Sequence, residues 1–271
     1  MEMKEKTHTN QYALITGATG GLGKAFVHAA ARRGYSLLLT GRSAEKLQAL
    51  QAELQEKYPD ILTRIYAADL SDMGSRIAMT EKIVAENIRI SLLVNVAGAD
   101  IQKGLQEYTQ EKIAFQCRVN FEAAVSLCRF AIENKADRLE IVNISSVSGI
   151  YPMPYFAIYS ATKGALTSFS QSLRAEMKGQ NVAVTAILPG AMPTREDIKD
   201  QIKGQGLWGK LAAKSPEEVA EKSLKAVRKN KRKVIVGFWN KIMRIGTCWM
   251  PTSWRLHFIA KRWSKISKDA F

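Results

Sequence analysis

The chain has 271 residues, of which 46% are hydrophobic, 24% are charged and three are cysteines. That length can bury a core without disulfides or a structural metal, and the balance excludes wholesale disorder, collagen-like and disulfide-framework architectures. The net charge of +15 is uneven: residues 1–221 carry 26 basic and 24 acidic side chains, residues 222–271 carry 14 and one, so the chain is not a uniformly basic nucleic-acid binder.

Short apolar runs alternate with amphipathic segments from the start. Strands are predicted at Tyr12–Thr16, Ser36–Thr40, Thr63–Ala67, Ser91–Asn95, Leu139–Ile144, Val182–Leu188 and Val234–Val236. Helices are predicted at Gly21–Arg33, Ala44–Lys57, near 72–87, 108–134 and 159–178, and after Ser215-Pro216-Glu217-Glu218. That last opening has a cap, a proline at the first helical position and acids in the first turn. The alternation predicts an α/β fold, a doubly wound parallel sheet of Rossmann type, because near-continuous apolar strands need helices on both faces. One domain is expected over 11–237, followed by a basic, tryptophan-rich extension over 238–271.

Cys117, Cys128 and Cys248 show no paired spacing, and His8, His28 and His257 stand far apart, so no metal site is expected. The polar N-terminus has no apolar signal core, and no run approaches the roughly 18 apolar residues of a membrane span. A reducing, cytoplasmic setting is the expectation.

Thr16-Gly17-Ala18-Thr19-Gly20-Gly21-Leu22-Gly23 links the first strand to the first helix. Glycines there let the backbone approach a pyrophosphate, whose charge the helix N-terminus favours. After the second strand, an enzyme using NAD usually places an acid for the adenine ribose. Here the residues are Gly41-Arg42-Ser43. Arg42 and the Ser43 hydroxyl would complement a 2′-phosphate, so NADP(H) is the expected cofactor. A solvated surface arginine is the competing reading.

Tyr159-Ser-Ala-Thr-Lys163 places a phenol and an ammonium on one helical face. The ammonium would favour phenolate, and the tyrosine could exchange a proton with a carbonyl oxygen. Tyr108-Thr-Gln-Glu-Lys112 has the same spacing but is expected to be an exposed helix face. Tyr159 differs in following Ser146 by 13 residues, and that serine ends a strand, where parallel sheets assemble their sites.

With these residues in place the chain resembles the short-chain dehydrogenase/reductases, over residues 11 to about 195. The family's glycine motif matches Gly17, Gly21 and Gly23, with Thr19, Gly20 and Leu22 in the same turn. Its adenine-contacting acid matches Asp69, followed by Leu70. Its Asn-Asn-Ala-Gly motif appears as Asn95-Val96-Ala97-Gly98, departing at one position. The resemblance implies Asn120 as the catalytic asparagine holding a water in a proton relay. It implies Ser146, rather than Ser145 or Ser148, as the hydrogen-bond partner of the substrate oxygen. Tyr159 would be the general acid/base, and Lys163 would lower its pKa and bind the nicotinamide ribose. Pro189, Gly190 and Thr194 match the segment that contacts the nicotinamide end. A homo-oligomer is a further implication.

Gly149-Ile-Tyr-Pro-Met-Pro-Tyr-Phe-Ala-Ile158 is apolar and aromatic, suiting a lipophilic carbonyl more than a sugar. It is similar to the long-chain 3-oxoacyl-CoA reductase and 17β-hydroxysteroid dehydrogenase subgroup; a generic apolar rim is the competing reading. Lys203–Gly209, with Trp208, is expected to be a substrate loop. The tail interleaves Trp239, Trp249, Trp254 and Trp263 with lysines and arginines, and places Leu256, Ile259, Ala260 and Trp263 on one helical face. That pattern suits a peripheral membrane contact, worth roughly 1 kcal/mol per basic residue on anionic lipid, or packing on the domain or a partner subunit. Nucleic acid is not expected as a partner. The function expected is NADP(H)-dependent reduction or oxidation of a lipophilic carbonyl or alcohol. The alternative is a non-catalytic NADP-binding protein recruited by its tail to a membrane or partner.

Overall fold

The computed structural model describes residues 11–193 and 213–264. Along β1 (Tyr12–Thr16), β2 (Ser36–Gly41) and β4 (Ile90–Asn95) successive side chains point to opposite faces, and both faces are buried. A strand of this kind is stable only with helices above and below it. Seven parallel strands result, in the order β3-β2-β1-β4-β5-β6-β7, with β3 at Thr63–Ala67, β5 at Lys135–Ile144, β6 at Val182–Leu188 and β7 at Lys233–Ile235.

Two cores follow from the alternation. On one face Ala13, Ile15, Leu37, Leu39, Leu92 and Val94 pack with α1 (Gly21–Ala31), α2 (Ala44–Lys57) and α7 (Pro216–Arg228). On the other, Leu14, Leu38 and Leu93 pack with α3 (Met73–Ala85), α5 (Ala123–Glu133) and α6 (Ala157–Glu176). Leu14, Leu38 and Leu93 are fully buried, and each such side chain contributes roughly 1.5–3 kcal/mol. Strand order reverses between β1 and β4, the place where doubly wound sheets open a crevice at the carboxyl ends of their strands.

The structure breaks the long helix expected over 108–134. Leu105–Glu107 is a 3₁₀ turn, α4 spans Gln110–Cys117, and Arg118–Glu122 forms a π turn before α5. Thr109 caps α4, accepting a hydrogen bond from Lys112 N, so Tyr108 lies outside the helix. Its hydroxyl donates to the Ile101 carbonyl at 2.8 Å, and the exposed helix face expected for Tyr108 and Lys112 does not form. Apolar periodicity runs unbroken through all three segments, which is why the pattern alone hides the π turn. β5 begins four residues earlier than expected, at Lys135, where it pairs with Ile90.

Beyond β7 the chain forms two more helices, α8 (Phe238–Cys248) and α9 (Thr252–Trp263). They fold back over the carboxyl end of the sheet. The Thr247 and Tyr151 hydroxyls lie 2.6 Å apart, Arg255 sits 5.4 Å from the centroid of the Tyr151 ring, and Trp263 stacks on Phe156 at 6.1 Å. Leu256, Ile259, Ala260 and Trp263, read as a possible membrane face, are all half-buried and turned toward the domain. Among the described residues no helix is long and apolar enough to cross a membrane.

Candidate active site

The glycine turn begins with Gly17 at φ +61°, a left-handed conformation that glycine adopts without strain. A Cβ on Gly23 would stand 2.0 Å from the Gly17 carbonyl oxygen, so the turn closes only with glycine there. Gly20 precedes α1 and supplies no side-chain cap; the first turn of the helix carries no acid, and its Gly21, Leu22 and Gly23 line the crevice. This is a cradle for an anion.

The cradle opens into a cavity of about 930 Å³, at the upper end of what small-molecule sites offer. Gly17, Thr19, Gly20, Gly21, Leu22 and Gly23 line one end with Arg42, Asp69, Leu70, Ala97 and Gly98; Ser146, Tyr159, Lys163, Pro189 and Gly190 line the middle. Arg42 is exposed at the end of β2. Asp69 Oδ1 accepts from the backbone N–H and hydroxyl of Ser71 at 2.8 and 2.7 Å. The residues present therefore fit a dinucleotide: a helix N-terminus without a side-chain cap for pyrophosphate, an apolar slot beyond it and the exposed Arg42 at the edge.

Three residues expected at the cofactor or the proton relay have their side chains engaged elsewhere and do not line the cavity. Ser43 caps α2, its hydroxyl accepting from Lys46 N at 3.2 Å. Asn95, the last residue of β4, is buried and donates to Asn143 Oδ1 at 2.8 Å, tying β4 to β5. Asn120 clamps the segment after β4: its Oδ1 accepts from Ala99 N at 2.7 Å, while its Nδ2 donates to the Ala99 carbonyl at 2.9 Å and to Thr162 Oγ1 at 3.2 Å. With these hydrogen bonds the Asn120 amide is a clamp between the π turn, the segment after β4 and α6. Thr194 and the Lys203–Gly209 segment with Trp208 lie outside the described residues.

The three neighbouring serines separate by geometry. Ser145 Oγ donates to the Lys163 carbonyl at 2.7 Å, a structural bond. Ser148 donates its backbone N–H to Ser146 Oγ at 3.1 Å. Ser146 and Tyr159 both line the cavity, and the serine hydroxyl acts on the phenol by favouring its phenolate form. Gly149 lets this turn touch α6, since a Cβ there would lie 2.7 Å from the Gly164 nitrogen and the Lys163 carbonyl carbon. Lys163 Nζ donates to the Ile144 carbonyl at 2.9 Å and sits 5.7 Å from the centroid of the Tyr159 ring.

The electrostatics differ from the expectation that Lys163 holds the Tyr159 pKa down. Burial pushes the phenol above its ordinary value, the Asp100 carboxylate adds to that, and the Ser146 hydrogen bond opposes it. Burial also lowers Lys163 to about 8, with Asp100 opposing. A desolvated pair resists carrying charge, and the neutral phenol is therefore the resting form.

Several contributors escaped the sequence reading. Asp100 lines the cavity and its charge acts on both Tyr159 and Lys163; it follows Gly98 by two residues, and only the fold sets it in the same cavity as the phenol. Thr16 Oγ1 accepts from Val96 N and Ala97 N at 2.9 and 3.0 Å, holding the segment that lies beside the glycine turn. Buried Arg76 donates to the Leu70 carbonyl at 2.6 Å and pairs with Glu122 in the π turn, tying the segment after β3 to that turn. Asn240, Met243, Arg244, Ile259 and Trp263 bring α8 and α9 into the wall. The signal for them lay in the tail's helical periodicity.

The family model for short chain dehydrogenases matches residues 11–203. A dehydrogenase/reductase SDR family protein 7-like from Anopheles gambiae is 30% identical over 247 residues, covering 87% of this chain and 78% of its own. A very-long-chain 3-oxoacyl-CoA reductase from Anas platyrhynchos is 32% identical over 194 residues, 68% of this chain and 60% of its own length. The chain thus spans less than two thirds of that relative. Among solved structures, a 7beta-hydroxysteroid dehydrogenase superposes with a TM-score of 0.82 at 26% identity, covering 92% of this chain and 96% of its own. A short-chain dehydrogenase from Sphingobium yanoikuyae in complex with NADPH gives 0.74 at 26%, covering 96% and 97%.

Proposed function

The chain belongs to the short-chain dehydrogenase family, and we propose that within it this protein is an NADP(H)-dependent reductase of lipophilic carbonyls. The observation that carries the reading is one continuous cavity. It runs from the glycine cradle past Ser146, Tyr159 and Lys163 to a wall of Phe115, Val119, Ile150, Tyr151, Met153, Phe156, Met192, Ile259 and Trp263. Arg42 and the lack of an acid after β2 support the phosphorylated cofactor, as does the NADPH complex of a relative. The 3-oxoacyl-CoA and steroid relatives support an extended apolar substrate, and Arg244 at the rim suits one with an anionic end.

The glycine turn, Arg42, Asp69 and Lys163 would hold the dinucleotide, which would supply the hydride for the carbonyl carbon. Everything else falls to the chain. Ser146 donates a hydrogen bond to the substrate oxygen and orients it. The Tyr159 phenol, kept protonated by burial and Asp100, gives its proton to that oxygen as it gains charge, so the product is the neutral alcohol. The Lys163 ammonium stabilises the phenolate left behind until a proton returns from solvent.

Following loss of NADPH absorbance against carbonyls of graded chain length tests this, with wild type and Tyr159→Phe side by side. Turnover should rise with chain length and fall about 10²- to 10⁴-fold in the variant, while the NADPH dissociation constant changes little. Turnover indifferent to the Tyr159 hydroxyl would refute the assignment.

A further inference from the structure

We propose that the outer face of α8 and α9 docks the protein on an anionic lipid bilayer. Phe238, Ile242, Ile245 and Trp249 recur at the spacing that stacks side chains on one face of a helix. They are 68%, 40%, 66% and 89% exposed. Trp254 and Phe258, four residues apart on α9, are 63% and 59% exposed. The opposite faces do the packing: Asn240 is buried, Thr247 meets Tyr151, and Trp263 stacks on Phe156. Each helix is thus seated by one face while a stripe of large apolar and aromatic side chains points outward. An exposed patch of this kind marks an interaction surface.

Charge selects the occupant. Residues 238–263 carry five basic side chains and no acidic one, and Lys241, Arg244 and Lys261 are exposed beside the apolar stripes. A second copy meeting the face about a two-fold axis would set this unrelieved positive charge against itself. An anionic bilayer satisfies both halves of the pattern, since its headgroups take the cations and its acyl boundary takes the tryptophans and phenylalanines. Met243 and Arg244 line the cavity and are themselves exposed, so the docked face adjoins the mouth of the site. That a lipophilic carbonyl enters from the bilayer rests on the functional reading above; the docking does not.

Flotation of the full chain with phosphatidylcholine vesicles, with and without roughly one-third phosphatidylserine, tests the proposal at low and high salt. The wild type should float with anionic vesicles at least ten-fold more than with neutral ones, and salt should weaken the difference. Trp249→Ala/Trp254→Ala should lose at least ten-fold of that binding with an unchanged melting midpoint. Lys241→Glu/Lys261→Glu, which leaves every apolar contact in place, should lose the salt-sensitive part. A wild type that stays unbound, or variants that float as well as it does, would overturn the proposal. So would a wild-type dimer that the tryptophan variant splits without any vesicle binding, which would make the face a contact between copies. Flotation reads no turnover, so its failure leaves the reductase reading standing.

Discussion

Replacing Arg42 by alanine isolates the cofactor choice. Arg42 lines the cavity at the end of β2 and is exposed to solvent, so its charge acts through partly screened surroundings. Two unit charges about 4 Å apart interact by about 1 kcal/mol in bulk water and about 4 kcal/mol at an effective dielectric of about 20. An exposed guanidinium belongs near the lower end. With a contribution of about 1–2 kcal/mol, Arg42→Ala should weaken NADPH roughly 5- to 30-fold. NADH, which lacks the 2′-phosphate, should bind the variant as it binds wild type. Quenching of intrinsic fluorescence gives both dissociation constants, and raising the salt should shrink the wild-type preference. Ser43 caps α2, so Ser43→Ala should show up mainly in stability, by about 1 kcal/mol. A wild type that prefers NADH, or a preference that survives Arg42→Ala, would refute the reasoning.

Asp100 raises the Tyr159 pKa, so Asp100→Asn should move the alkaline limb of alcohol oxidation, which needs phenolate, to lower pH; a shift to higher pH would contradict the assignment. Carbonyl reduction, which needs the phenol, should stay flat through neutral pH in the wild type. Glu221 bridges Arg32 and Arg33 at 2.7 and 2.5 Å, joining α7 to α1, and the two guanidiniums hold its carboxyl at about 2. Its contribution is therefore present above the ordinary carboxylate pKa and lost as pH falls through about 2. Because its side chain is 41% exposed, Glu221→Gln should cost no more than about 1 kcal/mol at neutral pH in urea melts, with the difference vanishing in strong acid. Trp263→Ala should open the wall next to Phe156 and raise KM for long-chain carbonyls more than for short ones; equal effects on both would remove Trp263 from the substrate wall.

Periodicity and glycine placement carried most of the fold by themselves. Leu37, Leu38 and Leu39 are apolar in succession, as a strand buried on both faces requires, and the turn needs glycine at Gly17 and Gly23, where a side chain would be strained or would clash. Ser146, Tyr159 and Lys163 were legible because strand-end and helical spacing are local properties. Tertiary structure decided what depends on contacts far apart in sequence. A π turn at Arg118–Glu122 interrupts an apolar pattern that reads as unbroken helix, and there the Asn120 amide closes on Ala99 and Thr162. The charge of Asp100 acts on the phenol, and burial is the largest influence on its proton affinity, because desolvation belongs to the assembled core and to no single residue. The tail's helices were visible as patterns, but which face turns inward was settled by Tyr151 and Phe156, some hundred residues earlier in the chain. A helical pattern specifies which side chains share a face; only the surface it meets determines which face is buried.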